Sequence, residues 1–131
     1  VGSLLLLRSG RLLEDLGHEC DWTSVSLVPA EARSSLPVVA RKPGVIAGLP
    51  AAAVVAHAVD AELVFTPLVD DGAMVAAGQP VATLAGLTRS VLTAERVILN
   101  LMGRLSGVAT ATRRLVDAVA GTGCRVYDTR K

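Results

Sequence analysis

The chain has 131 residues, of which 51% are hydrophobic and 19% are charged, and its formal net charge is +1. This composition is typical of one folded globular domain, and the near-neutral charge argues against nucleic acid as a partner. The leucine run at positions 4–7 is far shorter than the roughly 20 apolar residues that a membrane-spanning helix needs. We therefore predict a soluble, cytoplasmic protein with no membrane segment.

The two cysteines, Cys20 and Cys124, lie far apart in the sequence and have no partner at the spacing of a zinc site. We predict that both thiols are reduced and buried and that they form no disulfide. Aromatic residues make up only 2% of the chain, so small and branched side chains must fill the core.

The first predicted element is a helix at residues 3–16, where leucines recur at helical spacing until Gly17 stops the pattern. The segment 18–29 is rich in Asp, Thr and Ser, whose short side chains bond to backbone amides in turns, and it is predicted to be a loop. Residues 36–48 are rich in β-branched side chains and are divided by the turn dipeptide Pro43-Gly44, which predicts two short strands.

A second helix is predicted to begin at Pro50, since proline is tolerated in the first helical turn, and to end before Asp60. Strands are predicted at 62–66, 73–75 and 80–84, separated by turns at Asp71-Gly72 and at Gly78-Gln79-Pro80. Together these elements predict a mixed α+β sandwich.

The longest predicted element is a helix at about 93–120, with Thr93 as its N-cap, Glu95 in its first turn, and Gly121 and Gly123 beyond its end. Its apolar residues follow the i, i+3, i+4, i+7 spacing of one helix face. They are Ile98, Leu101, Met102, Leu105, Val108, Ala109, Leu115, Val116 and Val119. Residues 125–128 are then predicted to start a strand of a second unit.

A second stripe on the long helix contains Arg96, Asn100, Gly103 and Gly107, at i, i+4, i+7 and i+11. Each glycine costs about 1 kcal/mol relative to alanine inside a helix, so a ligand or another backbone approaching closely would explain them. The alternative is that the glycines only admit a neighbouring helix and that Arg96 is a solvated surface cation.

The last residues, Thr129, Arg130 and Lys131, follow the predicted strand, and ligands bind at the carboxyl ends of strands in α/β folds. An arginine can hold a carboxylate with two hydrogen bonds, and a lysine adds a point charge. The residues therefore suit an anionic substrate. The alternative is a polar strand end with solvated cations, which is the commoner situation in proteins.

Other candidate sites are weaker. His18 and His57 have no partner at catalytic or ligand spacing, and no phosphate-binding glycine motif is present. Glu62, Asp70 and Asp71 could be read as a metal cluster, but Asp71-Gly72 is better explained as a turn. No metal site is predicted within the chain.

Several motifs resemble those of the quinolinate phosphoribosyltransferase family. The longest are "LTAERVILNLMGRLSGVATATRRLVDAV" and "YDTRK", and shorter ones are "LLEDLG", "DWTS", "GVIAGLP" and "DDGAMVAAGQPVATLAG". The resemblance implies an N-terminal sandwich-like α+β domain at 1–122 that contains the long helix. It further implies that 123–131 form the first strand of an incomplete α/β barrel, truncated here.

The resemblance also implies an activity, namely transfer of a phosphoribosyl group to quinolinate with decarboxylation. The products would be nicotinate mononucleotide, carbon dioxide and pyrophosphate, in NAD biosynthesis with Mg²⁺ and phosphoribosyl pyrophosphate. By motif, Arg96 resembles an arginine that one subunit of a homodimer inserts into its partner's active site. Thr129, Arg130 and Lys131 resemble the family's quinolinate-binding residues. Because metal-binding and most catalytic residues would lie after Lys131, we expect this chain alone to be inactive.

Three points leave alternatives open. His18-Glu19-Cys20 stands before Asp21 where the family has a short segment with a glycine just before the acid, so the resemblance assigns no role to 21–24. The paired glycine turns of 70–84 also suit a biotinyl or lipoyl carrier, which would need a lysine at the turn. Lys42 and Lys131 are the only lysines and lie far from it. A related transferase acting on another acid is a further alternative.

Overall fold

A computed structural model of the protein describes residues 22–129. These residues contain helices α1 to α3 and strands β1 to β5. The elements are α1 (Trp22–Leu27), β1 (Arg33–Val39), β2 (Gly44–Val45), α2 (Leu49–Val59), β3 (Val64–Pro67), β4 (Met74–Val75), β5 (Pro80–Leu87) and α3 (Thr88–Ala118). The predicted helix at 3–16, and with it Gly17, His18, Cys20 and Asp21, lies outside the described residues.

The strands form two antiparallel sheets. The larger has the order β1-β5-β3, and the smaller pairs β2 with β4. Helix α2 packs against β3 and α3, while α3 also packs against β5 and β2. The predicted mixed α+β sandwich, including the strands around Pro43-Gly44 and the helix that ends at Asp60, is therefore confirmed.

The core is built largely from small side chains, as the low aromatic content predicts. Ala52 and Ala56 on α2, Ala82 on β5 and Ala94 on α3 are all 0–1% exposed. Because an alanine projects only a methyl group, these helices can approach the sheet closely. Larger aliphatic residues, including Val81, Val91 and Ile98, fill the remaining space.

Residues 22–27 form helix α1, so the prediction of a loop over 18–29 is wrong for this part. Arg89, at the start of α3, donates hydrogen bonds from Nε to the Val28 carbonyl and from a terminal nitrogen to the Val25 carbonyl. These carbonyls lie at the C-terminal end of α1, where they have no partner within the helix. The helix is thus stabilised by an arginine more than 60 positions away, which local sequence patterns do not reveal.

Helix α3 begins at Thr88, five residues before the predicted N-cap Thr93. Strand β5 passes directly into the helix, and the Thr88 amide donates to the Ala32 carbonyl. Thr93 lies within the helix, where its hydroxyl donates to the Arg89 carbonyl one turn earlier. A threonine whose hydroxyl bonds to the carbonyl one turn earlier can lie inside a helix. From the sequence alone it cannot be distinguished from a threonine at the helix N-cap.

The segment after α3 corrects one prediction and leaves another untested. Residues 124–129 are in no regular element, and none of residues 22–129 pairs with them. Because the strand predicted at 125–128 belongs to a second unit outside residues 22–129, it stays a prediction. Cys124 is an exposed free thiol rather than a buried one. Gly121 and Gly123 have positive φ angles of 79° and 78°, so the chain turns just after the helix as predicted. The boundary between 122 and 123 stays a prediction.

The turn at Asp71-Gly72 holds the start of α2. Both carboxylate oxygens of Asp71 accept hydrogen bonds, one from the Gly48 amide and one from the Leu49 amide, each at 2.9 Å. These amides lie at the N-terminal end of α2, where a negative charge is favoured by the helix dipole. Asp71 therefore acts as a helix cap supplied by a neighbouring turn, which argues against its use in a metal cluster.

A second carboxylate ties α3 to the loop before β3. The Ser90 hydroxyl donates to Asp60 at 2.6 Å, and the Glu62 amide donates to the other carboxylate oxygen at 2.9 Å. The Ser90 hydrogen bond, followed by the Glu62 amide, lowers the pKa of Asp60 below its usual value of 3.8. The ionised form of Asp60 is thus favoured by the folded state.

We predict that this pair stabilises the fold at neutral pH and that its contribution is lost in acid. A carboxylate with a lowered folded pKa stabilises above the unfolded value of 3.8 and ceases to do so as pH falls through its folded pKa. Ser90→Ala should lower the free energy of unfolding by about 1 kcal/mol or less at pH 7, because solvent reaches part of this site. Urea unfolding at pH 7 and pH 3 would test this. An equal loss at both pH values would contradict it.

Candidate functional site

The polar stripe predicted on the long helix is present on α3. Arg96, Asn100, Gly103 and Gly107 are all exposed and lie on one face of the helix. Within residues 22–129, the ion pairs join Arg33 to Glu62 and Arg113 to Asp117, and neither involves Arg96. The guanidinium of Arg96 is therefore available to an anion.

The two glycines of the stripe face open space. A Cβ atom built at Gly103 or at Gly107 would meet no atom within 4 Å. Neither glycine is needed for packing among the described residues, although each lowers helix stability by about 1 kcal/mol relative to alanine. Their presence is explained if something outside residues 22–129 approaches the helix backbone here.

The apolar stripe of α3 is buried only in its first half. Val91, Ala94, Val97, Ile98 and Met102 are buried in the core. Further along the helix, four large residues of the predicted stripe are exposed within the described part of the chain. The exposed fractions are 39% for Leu105, 67% for Val108, 58% for Leu115 and 43% for Val116. The second half of α3 therefore presents an uncovered apolar surface.

A cleft of about 610 Å³ lies beside the glycines, between α3 and the segment that joins β1 to β2. Two hydroxyls of α3 fix one wall of this cleft. Thr110 accepts from the Val45 amide at 2.9 Å, and Ser106 accepts from the Ala47 amide at 3.0 Å. The two hydroxyls of the helix thus accept hydrogen bonds from the amides of two alternate residues, one in β2 and one in the loop after it. A neighbouring strand would accept hydrogen bonds at a similar spacing. Sequence reasoning missed both residues because each resembles an ordinary polar helix residue.

The residues predicted at the chain's end are only partly described. Thr129 is exposed and in no regular element, and Arg130 and Lys131 lie outside the described residues. Arg96 lies 22 residues before the end of α3 at Ala118, which corresponds to about 33 Å along the helix axis.

No feature of residues 22–129 supports a metal site or a biotinyl or lipoyl carrier. No group of three or more histidine, cysteine or acidic side chains could hold a metal ion in this part of the chain. His57 is exposed on α2. Residues 70–80 contain no lysine that could carry biotin or lipoate, and Lys42 lies in the loop between β1 and β2. No helix in the described part is long and apolar enough to span a membrane.

The described residues thus form an α+β domain whose long helix carries an exposed arginine. Residues 21–106 match the family described as quinolinate phosphoribosyl transferase, N-terminal domain. The chain therefore belongs to the quinolinate phosphoribosyltransferase family, of which it contains the N-terminal domain.

Named relatives agree with this assignment. The nicotinate-nucleotide pyrophosphorylase (carboxylating) of Mycobacterium leprae is 43% identical over 122 residues, covering 92% of this chain and 43% of that protein. A probable enzyme of the same name from Synechocystis is 45% identical, covering 92% of this chain and 40% of that protein. The crystal structure of NadC from Streptococcus pyogenes matches with a TM-score of 0.91 and 32% identity, covering 98% of this chain and 45% of that one. The chain spans less than half the length of these relatives.

Proposed function

We propose that the protein containing this chain transfers a phosphoribosyl group to quinolinate, with decarboxylation, to form nicotinate mononucleotide, carbon dioxide and pyrophosphate in NAD biosynthesis. The observation that carries the proposal is the unpaired, exposed Arg96 on a helix of this family's N-terminal domain. The relatives are named for this reaction, as nicotinate-nucleotide pyrophosphorylase or as quinolinate phosphoribosyltransferase.

The charge of the proposed site suits quinolinate, which carries two adjacent carboxylates. Moving a dianion out of water is costly unless cations with hydrogen-bond donors replace the water. Arg96, Thr129, Arg130 and Lys131 would supply such groups in this proposal. Their role would be to bind and orient the acid and to balance its charge while the pyridine nitrogen attacks the ribose.

We also propose that the active site is shared between two copies in a homodimer. Arg96 is exposed and lies about 33 Å along α3 from the C-terminal end of that helix. Its sequence motif resembles that of an arginine that one subunit inserts into its partner's active site, so it can complete a site on a second copy. In a two-fold dimer this contact occurs twice, so each copy would lend Arg96 to the other.

We propose phosphoribosyl pyrophosphate as the second substrate of this reaction and Mg²⁺ as its cofactor. Mg²⁺ prefers carboxylates together with substrate phosphates. Because residues 22–129 contain no acidic cluster suited to it, we assign no ligand of the metal to this part of the chain. We propose a cytoplasmic location, while noting that plant relatives are named as chloroplastic or mitochondrial.

The proposal can be tested by extending this chain with the later part of a relative. Residues 1–131 would be fused to the part of the Mycobacterium leprae protein that follows its matched region. We expect the fusion to form nicotinate mononucleotide and to release pyrophosphate from quinolinate and phosphoribosyl pyrophosphate. Nicotinate in place of quinolinate serves as the control for a related transferase that acts on another acid. A folded fusion without activity towards quinolinate would refute the proposal.

A further inference from the structure

Asn100 is a polar member of the stripe on α3 that the proposed function leaves without a role. It lies one helical turn after Arg96, at i+4, and it is exposed. Residues at i and i+4 are neighbours on a helix surface, with Cβ atoms about 5–6 Å apart. The amide of Asn100 and the guanidinium of Arg96 therefore reach the same region beside the helix.

No contact among the described residues explains an asparagine at this position. Four other uncharged polar side chains of α3 form hydrogen bonds within this part of the chain, namely Ser90, Thr93, Ser106 and Thr110. The side chain of Asn100 forms none with the described residues. Asparagine is also less favourable than alanine in a helix interior. The described part of the fold therefore gains nothing from this amide.

Gly103 keeps the space beside Asn100 open. Side chains of an α-helix lean towards its N-terminus, so a side chain at position 103 would cover the turn that contains Asn100. A Cβ atom built at Gly103 meets no atom within 4 Å, so packing among the described residues does not require the glycine. The missing side chain instead leaves the polar groups of Asn100 and Arg96 accessible to a ligand.

The two side chains together suit quinolinate better than Arg96 alone. A guanidinium can hold one carboxylate with two parallel hydrogen bonds. The second carboxylate of quinolinate is attached to the adjacent ring atom, so it then lies within reach of a helix neighbour of the arginine. A side-chain amide offers two N–H donors to such a carboxylate and, being neutral, adds no further charge to the cations of the proposed site.

We propose that Asn100 is a second contact to quinolinate and that its amide donates to the carboxylate next to the one that Arg96 holds. This assignment rests on the proposed function, because it places Asn100 in the same site as Arg96. It does not depend on which copy supplies the rest of the site, since both side chains project from the same stretch of one helix. Both carboxylates are intact while the ring nitrogen attacks the ribose, so the contact is the same before and during that step. Its loss should therefore raise KM and leave kcat unchanged.

The experiment uses steady-state kinetics and calorimetric titration of quinolinate with the fusion protein described above. Asn100→Ala should raise KM and Kd for quinolinate about tenfold, the scale of one hydrogen bond to a charged group. We expect kcat, and KM for phosphoribosyl pyrophosphate, to change by less than about twofold. Asn100→Asp keeps the size of the side chain but opposes the substrate carboxylate with a like charge, so Kd for quinolinate should rise about 30-fold.

Thr112 provides matched controls on the same helix. It is exposed and lies 12 residues after Asn100, or about 18 Å along α3. Thr112→Ala removes a polar side chain and Thr112→Asp adds a negative charge, and both should leave KM and Kd for quinolinate near their original values. The 131-residue chain with Asn100→Ala should melt at an unchanged or higher temperature, because alanine favours the helix.

Three outcomes would overturn the assignment of Asn100. The first is that the Asn100 variants bind quinolinate as tightly as the Thr112 variants. The second is that KM rises equally for both substrates, and the third is that a higher protein concentration restores KM, because Asn100 would then act on the fold or on subunit association. A fusion that neither binds nor converts quinolinate refutes the proposed function and this assignment with it. A fusion that converts quinolinate equally well with and without the Asn100 amide refutes this assignment alone.

Discussion

Replacing Arg96 by alanine in the fusion protein is expected to lower kcat/KM for quinolinate about 100-fold, the scale seen when one preorganised donor to a charged group is removed. Arg96 is exposed on α3 and pairs with no carboxylate within residues 22–129. Its removal therefore leaves no buried charge unpaired in this part of the fold. We expect the melting temperature to change little while activity falls.

Two control variants sharpen this prediction. Arg96→Lys keeps the charge but loses the planar fork that can donate two hydrogen bonds to one carboxylate, so an intermediate loss of activity is expected. Arg104→Ala removes a second exposed arginine two turns along the same helix and should leave kcat/KM near its original value. Equal losses for Arg96→Ala and Arg104→Ala would indicate a general effect of surface charge rather than a specific contact.

Mixing variants tests whether Arg96 acts on its own copy or on a partner. An Arg96→Ala copy and an Arg130→Ala copy, each nearly inactive alone, form one intact site in a mixed dimer if Arg96 acts across the interface. Random mixing should then restore about a quarter of the original activity, because half of the dimers are mixed and each has one intact site. No recovery after subunit exchange would show that Arg96 acts within its own copy.

The elements that could be predicted from the sequence depend on local patterns. The turn residues Gly72 and Gly78 have φ angles of 91° and 82°, which glycine adopts readily, so they marked the turns correctly. The helical spacing of apolar residues likewise located the centre of α3, and the same periodicity placed Arg96 and Asn100 on one face. Each of these features depends on residues within a few positions of one another.

The features that could not be predicted depend on contacts between distant residues. Arg89 stabilises the end of α1 from 61 positions away, and Thr110 binds Val45 across 65 positions. An arginine that caps a distant helix has no local pattern that distinguishes it from a surface arginine. The exposed second half of α3 is a related case, because the periodicity of Leu105, Val108 and Leu115 indicates an apolar face but not what covers it.

Substitution of Gly48 by alanine is expected to lower the free energy of unfolding by about 2–3 kcal/mol, the largest effect on stability that we predict here. Gly48 has a φ angle of 99°, a left-handed conformation that costs an L-residue about 1 kcal/mol or more. It is also buried, and a Cβ atom there would lie 2.6 Å from Leu105 Cδ1. At that distance Leu105 must shift, and because Cδ1 ends a flexible side chain the shift adds only about 1 kcal/mol.

Strain at Gly48 also affects the wall of the cleft beside α3, because Gly48 adjoins that wall. Its amide donates to Asp71 at 2.9 Å, and its carbonyl accepts from the Ala52 amide in the first turn of α2 at 2.9 Å. A shift of Leu105 or of the Gly48 backbone would therefore disturb the start of α2 as well as α3. Urea unfolding of the 131-residue chain, followed by circular dichroism, measures the change in stability.

Two glycine substitutions separate the causes of the loss. Gly78→Ala imposes a similar positive φ angle of 82° but meets no atom within 4 Å, so it should cost only about 1 kcal/mol of backbone strain. Gly107→Ala lies in a helix and also meets open space, so it should stabilise the chain by about 1 kcal/mol. The difference between Gly48→Ala and Gly78→Ala isolates the contact with Leu105. If the two variants lose equal stability, that contact contributes nothing, and only the left-handed backbone makes glycine necessary at position 48.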